Sequence, residues 1–514
     1  METITAIHGV ISAVDGWLWG LPLIIVLVGT HLYMTVRTGF IQRKLLTGIK
    51  LSLAKDSQAE GNVSQFGALT TALSATIGTG NIVGVATAVV SGGVGAIFWM
   101  WIIGVFGIAT KYAETFISVK YRVRDHAGDM LGGAMYALER GFPGKKWAKV
   151  VAILFALFAT LASFGIGGIA QSNSVVGIAQ HYFDPDGTNM VMSVIFGIVL
   201  VVAVALVIFG GIRGIANVCE KLVPFMALFY VLGCAVILVM NASHVFEAIK
   251  WIVVCAFTPK AMVGGGAGFA VASALRFGAA RGLFSNESGM GSAPLAAANA
   301  TTRNPARQAL VSMTGTLWDT VVICAITGIT LVSSILANPD LSAMYQATNA
   351  LAVGDSATMA AMAGSLGSES VLLTGFTKGL ELTTGVFDQI PILGPIILVV
   401  GMISFSYTTL LGWSWYGNRV VAYLFGKKGI RPYQILFLCF VFFGALGAVG
   451  VGIGPEITSL AWDFSDVMNG LMVVPNVIAI WALARVIVRD TRHYVWDDNL
   501  DEVDDEPIPM LSDK

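Results

Sequence analysis

The sequence predicts an all-α transmembrane bundle, and three observations support this fold class. Of the 514 residues, 56% are hydrophobic and only 12% are charged, whereas about a quarter of the residues in a soluble domain are charged. The mean hydropathy is +0.77. Apolar runs of about 20 residues recur along the chain, which is the length that an α-helix needs to cross a bilayer. The ten-residue alternation of a membrane β-barrel does not occur.

Eleven apolar runs are predicted to span the membrane, and together they form a single domain over residues 1–495. In chain order they cover residues 16–36, 66–90, 93–118, 148–181, 190–210, 217–240, 261–281, 307–336, 392–424, 431–453 and 460–488. The first run has no basic region before it and no small-residue cleavage site after it. We therefore interpret it as a retained span rather than a signal peptide.

Basic residues in the loops predict the orientation of the chain. They cluster after the first and third spans, at Arg37, Arg43, Lys44, Lys50, Lys55, Arg122, Arg124, Arg140, Lys145, Lys146 and Lys149. Because Lys and Arg are enriched in cytoplasmic loops, we expect both segments to be cytoplasmic. An odd number of spans then places the amino terminus outside and the carboxyl terminus inside, in a multi-pass protein of the plasma (inner) membrane.

Two segments outside the spans have distinctive compositions. Residues 337–391 are moderately apolar and rich in Gly and Ser, and they form either a lid over the outer face or a passive surface loop. Residues 496–514 are acidic and poor in aromatic side chains. A composition of this kind cannot bury enough apolar surface to fold alone, so we expect a disordered cytoplasmic tail.

Two predicted spans carry glycines where an uninterrupted helix would not favour them. Residues 71–84 are TALSATIGTGNIVG, and residues 263–282 are VGGGAGFAVASALRFGAARG. If the first span is set aside, each glycine-rich span opens a set of five, which we term repeat one (66–240) and repeat two (261–488). Discontinuous helices at corresponding positions of two halves are typical of inverted-repeat transporters, although glycine also serves close helix packing. We expect the first break at about residues 75–80.

Three motifs resemble the signature of the alanine or glycine:cation symporter family. They are TIGTGNIVGVATA in the second span, GGVGAIFWMWIIGVFG at residues 92–107 and RGLFSNESGMGSAP at residues 281–294. The resemblance implies a LeuT-type fold, with five plus five inverted-repeat helices and one added amino-terminal span. It also implies a secondary active symporter that couples sodium influx to the uptake of small neutral amino acids such as alanine or glycine.

A zwitterionic substrate needs partners for its carboxylate and its ammonium, and a broken helix supplies both without charged side chains. We expect N–H groups of the first break to bind the carboxylate and carbonyls of residues 263–266 to bind the ammonium. Gln171 is either a substrate ligand or an interhelical hydrogen-bonding group, and two aromatic residues are candidates for the pocket wall. The predicted substrate-binding residues are Thr79, Gly80, Asn81, Gln171, Gly264, Gly265, Gly266, Phe269 and Trp413.

The resemblance also implies a sodium site between the first broken helix and the span at 392–424. That span carries three hydroxyl residues at positions i, i+4 and i+5, close enough to share a helical face. Each hydroxyl could instead bond to a carbonyl of its own helix. The predicted sodium ligands are the carbonyls of Ser74 and Ile77 and the side chains of Ser404, Thr408 and Thr409. Asn81 would serve a second cation site or brace the break.

Three more polar residues are expected to act in gating or structure. Asp319 lies in the middle of the span at 307–336, where an ionisable residue is a functional candidate by default, but neighbouring threonines could hold it in a structural network. Asn286 and Glu287 are expected at the inner end of the second broken helix, where they would cap helices and latch the inner gate. Titration of Asp319 or Glu287 would give proton coupling, which is the alternative to sodium coupling.

Other classes of protein are not supported. The five cysteines are scattered singly, so neither disulfides nor a metal site is indicated. HExxH, GxSxG and Walker A motifs are missing from the sequence, so we expect neither an enzyme nor an ATP-driven pump. The formal net charge of −1 does not suggest nucleic-acid binding. The expected partners are a small neutral amino acid, the sodium ion and the lipid bilayer, and the oligomeric state is left open.

Overall fold

The computed structural model shows a helical membrane protein with a two-stranded β-hairpin at one end. It describes residues 2–54, 59–184, 189–257, 267–343, 345–346, 375–448 and 454–511. Within these ranges, nine helical segments are long and apolar enough to cross a membrane. They are Ile7–Arg37, Ala96–Lys120, Lys146–Phe183, Met190–Ile208, Gly211–Met240, Pro305–Ala337, Leu393–Phe425, Lys427–Leu446 and Ser459–Ala482. The chain is therefore a multi-pass membrane protein.

The elements are numbered in chain order. The first part of the chain forms α1 (Glu2–Leu18), α2 (Leu21–Arg37), α3 (Leu45–Leu53), α4 (Gln65–Thr76), α5 (Val83–Gly92), α6 (Ala96–Lys120), β1 (Val123–Arg124), β2 (Met130–Leu131), α7 (Ala134–Gly141), α8 (Lys146–Ala162), α9 (Gln171–Phe183), α10 (Met190–Ile208), α11 (Gly211–Met240) and α12 (Ala242–Cys255). The second part forms α13 (Ala267–Asn286), α14 (Ala293–Ala297), α15 (Pro305–Thr316), α16 (Ala325–Ala337), α17 (Gly375–Phe387), α18 (Leu393–Phe425), α19 (Ile430–Leu446), α20 (Gly454–Ala482) and α21 (Ala484–Thr491). The two strands pair antiparallel, with Val123 opposite Leu131.

Polar side chains fix the starts of two helices beside the centre of the bundle. The Ser64 hydroxyl accepts a hydrogen bond from the Gly67 N–H at 2.8 Å and so caps α4. Asn304 caps α15 in the same way through the Arg307 N–H at 3.0 Å, and Pro305 occupies the first helical position. Caps of this kind contribute about 1 kcal/mol each. The two helices pack against each other.

The interrupted helix formed by α4 and α5 lies inside the bundle. Its first half packs against α11, α14 and α18, and its second half packs against α13 and α17. Most side chains of both halves are buried. Irregular backbone at membrane depth is tolerated where protein surrounds it, so this packing provides the setting that a helix break requires.

The amino-terminal span begins earlier than predicted. Instead of one helix over 16–36, the chain forms α1 and α2 with an interruption at Trp19. Helix α1 lies against α20, where the Trp19 indole donates to the Asp466 carbonyl at 3.0 Å and His8 lies 3.1 Å from the Asp463 carboxylate. The sequence of α1 includes acidic residues and a histidine, which lower its hydropathy and conceal it from a search for apolar runs.

Two predicted spans are not among the nine apolar segments. The span at 66–90 is divided between α4 and α5, and the shorter α5 is itself apolar. The span at 261–281 is described only from residue 267, within α13. Each of the other nine predicted spans overlaps one of the nine apolar segments.

Two membrane helices contain π-helical stretches. Residues Ser163–Ala170 join α8 to α9, and residues Leu317–Cys324 join α15 to α16. Such wide turns are rare and occur frequently at functional sites. Gln171 follows the first stretch directly and Asp319 lies inside the second, so both predicted functional side chains lie at irregular points of their helices.

The carboxyl-terminal segment differs from the expected disordered tail. Described as far as residue 511, it lies across the end of the bundle that carries the β-hairpin. Asn304 donates from its side chain to the Leu500 and Glu502 carbonyls at 2.9 and 2.8 Å. Further along, the Arg124 N–H donates to the Pro509 carbonyl at 2.9 Å. Backbone and side-chain partners on loops distant in sequence therefore order a segment whose own composition predicts disorder.

Candidate functional site

The first helix break lies where the sequence predicts it. Helix α4 ends at Thr76, and α5 begins at Val83. Between them Ile77 and Gly78 are extended, and residues 79–81 form one 3-10 turn. A Cβ atom at Gly78 would lie 2.8 Å from the Thr409 hydroxyl, so the close approach of α18 requires glycine at this position.

The break leaves backbone groups of opposite polarity unpaired. The last α-helical hydrogen bond of α4 runs from the Ile77 N–H to the Leu73 carbonyl at 2.8 Å. Among the described residues, the carbonyls of Ser74, Ala75 and Thr76 therefore receive no hydrogen bond, and the N–H groups of Thr79 and Gly80 donate none. Such carbonyls attract a cation and such N–H groups attract an anion.

Of the parts predicted for Asn81, the structure shows the one in which its side chain braces the break. Its N–H donates to the Gly78 carbonyl at 3.1 Å, so this group is not available to a substrate. Its side-chain oxygen accepts from the Gly78 N–H at 2.8 Å, and its amide nitrogen donates to the Asp319 carboxylate at 2.7 Å. The side chain thus braces the break and ties it to the second π-helical stretch.

The predicted sodium ligands of α18 are only partly brought to the break. The Thr409 hydroxyl lies 3.4 Å from the Ile77 carbonyl, and both threonine hydroxyls donate to the Phe405 carbonyl, at 3.0 Å for Thr408 and 2.9 Å for Thr409. The Ser404 hydroxyl instead donates to the Gly401 carbonyl of its own helix at 3.0 Å. Its position one turn away explains why the spacing alone grouped it with the threonines.

A second break lies beside the first, at a place that the sequence analysis assigned to a gate. Helix α13 ends at Asn286, α14 begins at Ala293, and the segment between them is buried. Three of its residues have positive φ: Glu287 (54°), Gly289 (91°) and Gly291 (80°). Positive φ suits glycine, whereas a non-glycine residue there costs about 1 kcal/mol or more.

The residues predicted to bind the ammonium are not part of this second break. Gly264, Gly265 and Gly266 lie outside the described residues, as does the side chain of Phe269. The backbone of Phe269 belongs to the continuous helix α13. The unwound backbone that faces the first break is instead the segment Glu287–Ser292.

A buried ion pair on α6 replaces the helical hydrogen bonds that the second break lacks. The Glu114 carboxylate accepts from the N–H groups of Gly289 and Gly291 at 3.0 and 3.1 Å. It also accepts from Asn476 of α20 at 2.9 Å. Lys111 lies 3.1 Å from Glu114 and donates to the Glu287 carbonyl at 3.1 Å. Together these side chains therefore hold the unwound segment in place.

Asp319 lies in a hydrogen-bonded network between the two breaks. Besides the contact with Asn81, its carboxylate accepts from Ser285 at 2.8 Å and from Thr320 at 2.7 Å. Asn286 donates to the Thr320 hydroxyl at 3.1 Å. Every partner is buried, so the network links the end of α13 to the first break. Asn286 thus contributes to the network inside the bundle, and its part in a gate stays a prediction.

A small cavity of about 20 Å³ separates the two breaks, which is room for about one water molecule. Its wall includes five of the predicted residues, namely Thr79, Gly80, Gln171, Trp413 and Thr409. It also includes Glu287, which was assigned to the gate, and residues that the sequence analysis did not select: Ala75, Thr76, Gly78, Ile166, Phe284, Ser285 and Asn469. These seven residues come from four helical segments and the extended residue Gly78, so no local pattern in the sequence brings them together.

Two amide side chains line the cavity with unpaired oxygens. Gln171 donates to the Ile166 carbonyl at 3.3 Å, but its Oε1 atom has no hydrogen-bond partner among the described residues, and neither has Oδ1 of Asn469. Both side chains are almost fully buried. Because a buried polar atom without a partner costs about 1 to 3 kcal/mol, these oxygens are suited to a ligand that donates hydrogen bonds.

Comparisons with known proteins identify the family of this chain. A family model described as the sodium:alanine symporter family matches residues 4–506. The sodium/alanine symporter AgcS of Methanococcus maripaludis is 41% identical over 488 residues, which cover 94% of this chain and 96% of that protein. An uncharacterized transporter of Haemophilus influenzae is 43% identical over 491 residues, covering 95% of this chain and 96% of its own.

Among solved structures, the crystal structure of MhsT in complex with L-phenylalanine resembles this fold. It covers 84% of this chain and 98% of the MhsT chain, with a TM-score of 0.52 and 14% identity. This likeness supports a LeuT-like fold. Together with the match along nearly the whole sequence, it confirms the family that the three motifs indicated: the chain belongs to the sodium:alanine symporter family.

Proposed function

We propose that this chain is a secondary active symporter in which sodium and a small neutral amino acid bind side by side at the first helix break. The observation that carries the proposal is the pair of unpaired backbone sets: carbonyls of Ser74–Thr76 before the break and N–H groups of Thr79 and Gly80 after it. A cation and a carboxylate can therefore bind within a few residues of each other, and each lowers the cost of burying the other.

The sodium ion takes neutral oxygens from α4 and α18. We assign the carbonyls of Ser74 and Ile77 and the hydroxyls of Thr408 and Thr409 as ligands. The Phe405 carbonyl is a further candidate, since both threonine hydroxyls already converge on it. Unwound carbonyls of this kind coordinate sodium in transporters with broken helices.

The amino acid places its carboxylate at the Thr79 and Gly80 N–H groups. Trp413 limits the size of the substrate's side chain, because Trp413 is packed against the π-helical stretch Ser163–Ala170. A Cβ atom at Gly167 in that stretch would lie 2.4 Å from the Trp413 Cβ. The Trp413 side chain cannot move away from the cavity unless the backbone at Gly167 also moves. A rigid aromatic wall favours small substrates such as alanine, which is also the substrate that the name of AgcS gives for that protein.

The proposed topology comprises eleven spans, one amino-terminal and five in each of two inverted repeats. It is supported by the positions of the two breaks, since the first lies within the first span of repeat one, the second follows the first span of repeat two, and both contribute residues to one cavity. The excess of basic residues at the hairpin end favours a cytoplasmic location for that end in the plasma membrane, with the amino terminus outside. Rocking of one group of helices against the other would expose the cavity to each side in turn.

Sodium is preferred to protons as the coupling ion. In the proton-coupled alternative Asp319 or Glu287 would gain and lose a proton in each cycle. However, the Asp319 carboxylate is engaged by hydrogen bonds from Asn81, Ser285 and Thr320 in a buried network that braces the first break. The site near Thr409 offers only neutral oxygens, which suit a metal cation.

Uptake into proteoliposomes tests the proposal. Purified protein is reconstituted, and labelled L-alanine uptake is measured under an inward sodium gradient and with sodium replaced by choline at the same pH on both sides. We expect accumulation with sodium and none above the protein-free control with choline. Undiminished uptake in choline would contradict sodium coupling, and uptake driven by an imposed pH gradient in choline would support the proton-coupled alternative.

A further inference from the structure

The cavity wall contains one carboxylate that the proposed function does not use, that of Glu287. This side chain is only 3% exposed, and its described hydrogen bond joins Oε2 to the Ser292 hydroxyl at 2.5 Å. No basic side chain among the described residues forms an ion pair with this carboxylate, because the Lys111 ammonium pairs with Glu114 and reaches only the backbone carbonyl of Glu287. A buried carboxylate without a cation is costly, so this site favours a positively charged ligand.

The backbone at this position gives a second reason to assign Glu287 a ligand. The other two residues of the break with positive φ are glycines, Gly289 and Gly291, whereas position 287 has a glutamate at φ 54°. Glycine would relieve the strain at no steric cost. Strained non-glycine residues that are held by their surroundings cluster at ligand sites, and here the strain brings a carboxylate to the cavity wall.

The remaining acceptors of the cavity complement the same ligand group. Oε1 of Gln171 and Oδ1 of Asn469 are buried and unpaired among the described residues, and both side chains line the cavity with Glu287. An ammonium group has three hydrogen-bond donors, and this wall offers three acceptor side chains, one carboxylate and two amides. The N–H groups of Thr79 and Gly80 provide the donors for a carboxylate on the same ligand.

We propose that Glu287, assisted by Gln171 and Asn469, binds the ammonium group of the substrate and makes the site selective for amino acids over other small carboxylates. This inference rests on the proposed function, because it assigns a role within the same site. It replaces the ammonium site that the sequence placed at residues 263–266. A carboxylic acid of the same size that lacks the ammonium would leave Glu287 charged and unpaired, so the site would reject it.

Competition between L-alanine and L-lactate tests this inference, since lactate has the same carbon skeleton and carboxylate with a hydroxyl in place of the ammonium. Full-length protein in proteoliposomes is assayed for labelled alanine uptake against each unlabelled competitor. In the wild type we expect lactate to compete at least about 100-fold more weakly than alanine. Glu287→Gln should raise the alanine KM about 100-fold. It should also reduce, at least tenfold, the ratio of the lactate concentration to the alanine concentration that halves labelled uptake, which we term the alanine-to-lactate ratio.

Two further variants make the result specific. Glu287→Asn also removes the charge and suits positive φ, so it is the variant to assay if Glu287→Gln is not recovered folded. Glu114→Gln is the matched control, because it removes the other carboxylate of the second break, which does not line the cavity. We expect it to slow transport and to leave the ratio within twofold of the wild type.

The outcomes separate this inference from the proposed function. If the neutral variants keep the wild-type ratio within twofold, or if Glu114→Gln narrows it equally, the role of Glu287 is wrong while sodium-coupled alanine uptake stands. If the wild type shows no sodium-dependent alanine uptake, the proposed function itself fails, and the assignment of Glu287 falls with it. A narrowed ratio in the Glu287 variants alone supports both.

Discussion

Replacing Thr409 by alanine should weaken sodium binding without unfolding the protein. Its hydroxyl lies 3.4 Å from the Ile77 carbonyl and 2.9 Å from the Phe405 carbonyl, so it is the side-chain oxygen of α18 that reaches the first break. Losing one hydroxyl partner of a bound ion costs about 1 to 2 kcal/mol. Since 1.4 kcal/mol is a factor of about ten, we expect the sodium concentration for half-maximal uptake to rise about tenfold.

The assay is the initial rate of labelled alanine uptake into proteoliposomes as a function of sodium concentration. Ser404→Ala is the matched control on the same helix, because its hydroxyl donates to the Gly401 carbonyl and does not face the break. In this control we expect the sodium concentration for half-maximal uptake to stay within twofold of the wild-type value. Thr409→Ser should retain most of the sodium affinity, because it keeps the hydroxyl. A sodium dependence unchanged by Thr409→Ala, or shifted equally by Ser404→Ala, would refute the reasoning.

Three further substitutions test other parts of the structure. In Gly80→Leu the new Cβ would lie 3.7 Å from Phe284, so the outer carbons of leucine would fill the cavity. We expect folded protein that does not bind alanine, and an unchanged alanine affinity would place the substrate site elsewhere. Glu114→Leu leaves Lys111 buried without its ion pair, which costs about 3 to 5 kcal/mol; a Tm equal to that of the wild type would contradict this. Asp501→Asn removes the ion pair with Arg307, in which the aspartate side chain is 88% exposed. The free energy of unfolding should therefore fall by less than about 1 kcal/mol, and a larger loss would show that this pair orders the carboxyl-terminal segment.

The first break could be predicted because its signal is local. Glycines at 78 and 80 interrupt an otherwise apolar run, and glycine disfavours a continuous helix. The family resemblance and the residue spacing singled out three hydroxyl residues of α18, of which only Thr409 lies within hydrogen-bonding distance of the break. A spacing of four or five residues cannot distinguish a hydroxyl that reaches the break from one that bonds to carbonyls of its own helix without reaching it, as those of Ser404 and Thr408 do.

The break at Glu287–Ser292 was not predicted, for a physical reason. Residues 263–266 have the higher density of glycine, whereas the segment Glu287–Ser292 is polar and resembles a loop in sequence. Its burial depends on Glu114 and Asn476, which lie far away along the chain and supply or accept the missing hydrogen bonds. A single sequence does not show that a polar segment will find such partners inside a membrane bundle.

The carboxyl-terminal segment illustrates the same limit of composition. Its acidic residues predict a solvated tail, but Asn304 and Arg124 hold its backbone through hydrogen bonds. Both partners belong to loops at the hairpin end. The π-helical stretches before Gln171 and around Asp319 were also not predicted, because one extra residue per turn changes hydrophobic periodicity too little to be recognised.

The central claim is that sodium and the amino acid bind next to each other at one helix break, and calorimetric titration of L-alanine tests it most directly. Purified protein is titrated at zero and at saturating sodium, with choline keeping the ionic strength constant. Neighbouring binding predicts that sodium lowers the alanine Kd at least tenfold, and that alanine lowers the sodium Kd by the same factor. An alanine Kd that is the same with and without sodium would contradict the account.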